Sequence, residues 1–72
     1  MIAAEIRTED MPLDDLEERM EWCIKHFGPE ASTEYSVDED RPWMYLYSGH
    51  TRGFWWYFAR KEDAEFFMLR WS

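Results

Sequence analysis

The 72-residue chain reads as one small α+β domain, an antiparallel sheet with two helices on one face. Three observations predict it. Residues 12–27 carry apolar side chains at helical spacing, and residues 42–48 and 53–60 carry aromatic side chains that alternate with the two-residue period of strands. Turn-forming residues separate these stretches: Gly28 and Pro29 after the first, Gly49 and Gly53 between the other two. A second domain does not fit, because domains need roughly 50 residues or more each.

Residues 2–7 read as a short strand, with Ile2, Ala4 and Ile6 alternating with Ala3, Glu5 and Arg7. The helix over 12–27 has Thr8 or Asp10 available as a cap, Pro12 suited to a first turn, and acids crowded at the end where the helix dipole favours them. On a helical wheel of about 100° per residue, Leu13, Leu16, Met20, Cys23, Ile24 and Phe27 form one core stripe. Trp22 falls on the opposite side, among Asp15, Glu18, Arg19, Lys25 and His26. Thr33, Tyr35 and Val37 alternate as a short edge strand would, and Asp38 to Arg41 form an acidic turn.

Pro42 then opens a strand in which Trp43, Tyr45 and Tyr47 alternate with Met44 and Leu46. A loop near 48–53 returns the chain as a hairpin. On the returning strand Phe54, Trp56 and Phe58 point one way, and Trp55, Tyr57 and Ala59 the other. Residues 61–68 read as a helix, its apolar side continuing through Ala64, Phe67, Met68 and Trp71; Leu69 and Trp71 alternate around Arg70, so a short closing strand is the alternative there. The order strand, helix, strand, strand, helix is that of a split βαβ, ferredoxin-like sandwich with its last strand short or absent. Both helices then cover one sheet face, and the other is open or covered by a partner.

Charge is unevenly placed. Residues 1–40 hold 13 acids and 3 bases, residues 41–72 hold 3 acids and 5 bases, and the chain carries a net charge of −8. An acidic surface attracts basic partners and repels phosphate backbones. Aromatic residues make up 19% of the chain, more than so small a core needs, so some are expected to face a partner.

Catalytic chemistry finds little footing. Cys23 lies on the core stripe and His26 off it, with His50 in a distant loop, so neither a zinc site nor a Cys–His nucleophile is expected. The paired acids Asp14–Asp15, Glu17–Glu18 and Glu62–Asp63 sit on helix surfaces, without the apolar enclosure that tunes a catalytic carboxyl. No glycine-rich phosphate loop and no serine-centred motif occurs. The expectation is a non-enzyme with no metal and no cofactor. One cysteine forms no internal disulfide and suits a reducing, cytoplasmic setting. No run of 18 apolar residues occurs, so no membrane contact is expected, and the N-terminal residues lack the pattern of a signal peptide.

Two resemblances add to this reading. The run RGFWWYFARKEDAE resembles the third strand and second helix of the RNA-recognition motif family: Arg52, Gly53 and Phe54 match the strand opening, and Glu62, Asp63 and Ala64 the helix start. That resemblance implies a ferredoxin-like sheet whose outward aromatics stack on bases. Trp55 stands where the family has a small residue, the strand-to-helix spacing is one residue shorter, and the first strand lacks the family's aromatic. With that spacing Trp55 and Tyr57 become the outward pair. The ending FARKEDAEFFMLRWS resembles the C-termini of small accessory proteins of tailed bacteriophages, through Phe58, Asp63, Ala64, Phe67, Leu69, Arg70 and Trp71. It implies a non-enzymatic protein made during infection that binds host or viral machinery, as inhibitors of host defence do.

The functional expectation is therefore a protein-binding module directed at a host protein with a basic surface, acting in the host cytoplasm. Asp14, Asp15, Glu18 and Glu21 supply electrostatic steering, and Trp22, Tyr45, Trp55 and Tyr57 supply contact area. An acidic mimic of nucleic acid is one form of that reading. Two alternatives are single-stranded nucleic-acid binding on the aromatic sheet face, which the net charge opposes, and self-association as an assembly subunit.

Overall fold

A computed structural model describes residues 1–50 and 52–71 of the chain. Its elements are β1 (Ala4–Glu9), α1 (Leu13–Phe27), a 3-10 turn (Glu34–Ser36), β2 (Trp43–Ser48), β3 (Gly53–Phe58) and α2 (Lys61–Trp71). The sheet order is β1-β3-β2, with β3 antiparallel to both neighbours, so β1 and β2 run parallel with β3 inserted between them. This is a small α+β architecture with a three-stranded antiparallel sheet and two helices.

The strand period decides what each face carries. Phe54, Trp56 and Phe58 of β3 are buried toward the helices, joined by Trp43 and Tyr45 of β2, Ala4 and Ile6 of β1, Leu16, Met20, Cys23 and Phe27 of α1, and Ala64 and Phe67 of α2. Register puts Trp43 and Ala4 beside Phe58, and Tyr45 and Ile6 beside Trp56. The main core is therefore largely aromatic: Trp56 and Phe67 sit with ring centroids 4.9 Å apart, and Phe58 and Phe67 5.4 Å apart. Two buried indoles also have partners for their N–H groups, Trp43 Nε1 donating to the Gly28 carbonyl at 2.8 Å and Trp56 Nε1 to the Thr8 hydroxyl at 2.9 Å.

On the far side of the sheet a smaller core forms. Ala31 and Val37, from the connection between α1 and β2, cover Met44, with Ile2, Tyr57 and Ala59 packed around them. The amino terminus at Met1 donates to the Val37 carbonyl. Half of the second face is thus closed by the chain's own connection, and Leu46 and Trp55 lie on the half beyond it.

Several local expectations are corrected. β1 spans Ala4–Glu9 rather than 2–7, because β3 begins at Gly53 and its register dictates the partners; Ile2, expected in line with Ala4 and Ile6, packs in the smaller core instead. A side chain at Gly53 would collide with the Thr8 carbonyl, which explains the glycine at that close approach. Neither Thr8 nor Asp10 caps α1: extended Pro12 occupies the cap position and its carbonyl takes the first helical bond, from Leu16 N–H. Gly28 ends the helix as expected, at φ 113°, with its N–H on the Ile24 carbonyl.

The expected edge strand at Thr33–Val37 is a 3-10 turn, closed by Thr33 and Ser36 exchanging side-chain and backbone bonds. The Leu69–Trp71 stretch continues α2 rather than forming a closing strand, because the Trp71 ring packs on Trp22 and Phe67. Met68, expected on the buried side of that helix, is half-exposed. The expected 48–53 loop joins β2 to β3 and includes Thr51, which lies outside the described residues.

Candidate functional site

The wheel of α1 explains which side chains reach solvent. The side facing the sheet is centred on Leu16, Met20, Cys23 and Phe27, and the side facing α2 carries Glu18, Arg19, Trp22 and His26. Ring contacts Phe27–Phe66 at one end and the Glu18–Arg70 ion pair at the other show the two helices running antiparallel. Leu13 and Ile24 lie at the far margin of the core stripe, about 60° from its centre and turned away from α2. They are 66% and 52% exposed, so their assignment to the core is corrected. Glu17 and Glu21 stand beside them on the same exposed side, with Asp14 next to Glu21. The outcome is an acidic stripe with two apolar side chains along its edge.

The expected binding residues do not form one surface. Asp14, Asp15, Glu18 and Glu21 are all exposed on α1, but Glu18 is committed to Arg70 at 3.3 Å. Trp22, expected on the charged outer side, is half-buried between the helices. Its ring centroid lies 4.5 Å from His26, 4.9 Å from Trp71, 5.1 Å from Phe66 and 5.3 Å from Phe27. The sequence hid this because Trp22 is off the sheet-facing stripe; the clue was the run of rings at Phe66, Phe67 and Trp71 on the second helix, which needed a partner.

Tyr45 lies on the helix side of the sheet, half-buried, 5.3 Å from Trp56. Burial and the nearby Glu30 raise its pKa. Glu30, for its part, is raised by burial, against the opposing effect of the Tyr45 N–H that its carboxylate accepts. Trp55 and Tyr57 are together on the opposite face, as the parity of β3 predicts, but both are only partly exposed. Tyr57 is packed against the smaller core, and burial, then Glu34 and Glu5, raise its pKa. Bases stacking there would meet those two carboxylates.

Cys23 is fully buried on the sheet side of α1, and burial pushes its thiol far above the usual range, so it is protonated and unreactive in the folded protein. Among the described residues no three His, Cys, Asp or Glu side chains cluster as a metal site would require, and no helix is long and apolar enough to cross a membrane. Residues missed from the sequence are Leu13 and Ile24, together with Phe66, which packs against α1 yet is 47% exposed, and Leu69, 77% exposed.

Comparison with protein-family models, with curated proteins and with solved structures finds no match to this chain. Its functional reading therefore rests on its own geometry.

Proposed function

We propose that the chain is a non-enzymatic protein-binding module that docks on a basic surface of another protein through the outer side of α1. One observation carries this: Leu13 and Ile24 stand exposed along a helix side that also carries Asp14, Glu17 and Glu21. Apolar side chains supply contact area once water is excluded, and the carboxylates raise the association rate and reject acidic competitors. The helix is held rigidly behind that surface by Leu16, Met20 and Phe27, so little ordering cost falls on binding. In its finer form the proposal is a ferredoxin-like domain without its last strand, acting in the host cytoplasm as a phage-type inhibitor of a host protein, the role that the C-terminal resemblance implies.

The test is affinity capture from host lysate with three immobilised baits: the wild-type chain, the Leu13→Gln/Ile24→Gln pair, and the Glu17→Lys/Glu21→Lys pair. A protein with a basic surface held by the wild type and lost from both variants supports the reading. Equal recovery on all three baits removes α1 as the binding surface.

A further inference from the structure

A cavity of about 230 Å³ opens beneath the C-terminal half of α2 along the outer edge of β1. Ile6, Arg7 and Thr8 of β1 and Phe67, Met68 and Trp71 of α2 form its walls, and Arg19 of α1 reaches into it; the Arg7 side chain belongs by strand parity to the opposite sheet face, near Gly53. The Arg19 guanidinium lies 5.0 Å from the Trp71 ring centroid and 6.0 Å from that of Phe67, a cation stacked on two aromatic faces. Its Nε is buried without a hydrogen-bond partner, and among the described residues no carboxylate closes an ion pair with it. Burial lowers the Arg19 pKa, while Asp15 and Glu18 on its own helix act in the other direction and Arg70 adds to the lowering; the group remains a cation. An otherwise acidic protein thus presents a partly desolvated positive charge inside an apolar recess.

The strand beside this recess has an open edge. Asp10 N–H donates to the Arg52 carbonyl, which sets the even-numbered residues of β1 in bonded pairs with β3 and aims the peptide groups of Glu5 and Glu9 outward. No further strand runs beside β1 among the described residues. Such an edge accepts an added strand through main-chain hydrogen bonds, while pockets for alternate side chains give specificity.

From these two features we infer that the β1 edge binds an extended segment of a partner protein as a fourth strand, with an acidic side chain of that segment entering the recess to pair with Arg19. A second copy of this chain does not meet the requirement, because its own β1 would offer only Ala4, Ile6 and Thr8 to the recess. On the opposite face the added strand would run past Glu5, Arg7 and Glu9, so basic residues fit opposite the two glutamates and a neutral one between them. This contact uses no residue of the α1 outer side, and either surface can fail its test while the other stands.

The probe is the capped peptide Lys-Val-Lys-Glu-Thr-Val-Lys, titrated calorimetrically into the wild-type chain. A version with Gln for Glu is the first control, and a version N-methylated at its third and seventh residues the second. The Gln control is one charge more positive, so long-range attraction to a −8 protein favours it; only a local cation reverses that order. The Glu peptide is expected to bind about fivefold more tightly than the Gln peptide. N-methylation should abolish binding, and amide exchange at Glu5 and Glu9 should slow on addition of the Glu peptide. In Arg19→Gln the Glu preference should vanish, and the wild-type comparisons stand even if that variant fails to fold. The inference is overturned if the Gln peptide binds as tightly as the Glu peptide, if N-methylation changes nothing, or if the free protein is a dimer whose Glu5 and Glu9 amides are already protected.

Discussion

Phe67→Ala removes the ring at which both helices and the sheet meet. Phe67 is 1% exposed, and its ring centroid lies 4.9 Å from Trp56, 5.3 Å from Trp71, 5.4 Å from Phe58 and 6.2 Å from Trp22. Truncating a fully buried phenylalanine costs about 3–5 kcal/mol, from lost transfer energy and the cavity left behind. A domain of 72 residues has roughly 4–11 kcal/mol of stability at about 0.05–0.15 kcal/mol per residue. With a urea slope of about 1 kcal/mol per M, the midpoint should fall by about 3 M or more, which at the lower end of that stability range leaves the variant near or past unfolding in buffer. Urea denaturation followed by far-UV circular dichroism and indole fluorescence measures it. Leu69→Ala, two residues along the same helix and 77% exposed, is the internal control and should stay within about 0.5 kcal/mol of wild type. Similar midpoints for the two variants would refute the reasoning, since the ring cluster would then not be what joins the layers.

Three further outcomes follow from the same packing. The Leu13→Gln/Ile24→Gln pair should lose less than about 1 kcal/mol in the same urea assay, because both side chains are mainly in water; a larger loss would return them to the core. Cys23 has a folded-state pKa raised by burial, so its proton is held while the unfolded thiol ionises above about pH 8.5. Stability should therefore begin to fall at lower pH in wild type than in Cys23→Ala, which keeps only the later loss from the raised tyrosines Tyr45 and Tyr57, and at pH 8 a disulfide-exchange reagent should label the thiol no faster than the protein opens. Glu30 is also raised by burial, so its contribution is complete below the ordinary carboxylate range and is lost as pH climbs through the folded value. Glu30→Gln keeps an acceptor for the Tyr45 N–H, so its melting temperature should exceed that of wild type at pH 7 and converge with it near pH 4; a lower melting temperature at pH 7 would contradict the assignment.

Where the sequence was readable, local chemistry and tertiary packing agreed. Pro12 and Gly28 bracket α1 closely, and the alternation in β3 separates buried Phe54, Trp56 and Phe58 from Trp55 and Tyr57. The remaining features depend on partners distant in sequence. Val37 is buried because the connection folds over Met44, while local Thr33–Ser36 bonding makes that segment a 3-10 turn. His26 stands one helical turn from Trp22, but the rings that close over it from α2, Phe66 and Trp71, lie more than 40 positions away, which no periodicity within α1 encodes. Leu13 and Ile24 fit the helical stripe but lie beyond the width the sheet covers, and that width is set by how α1 sits on β3 and β2. Of the proposed surface, Asp14 and Glu21 were among the acids expected from the sequence, whereas Glu17, the apolar side chains beside them and the Arg19 recess required the assembled layers, and Glu18 turned instead to Arg70.

Carboxyl footprinting of α1 in complex with the captured partner tests the proposed binding surface most directly. Modification by a carbodiimide and an amine should be suppressed at Asp14, Glu17 and Glu21 and unchanged at Glu62 and Glu65 of α2. Suppression confined to α2, with the α1 carboxylates still fully modified, would contradict it.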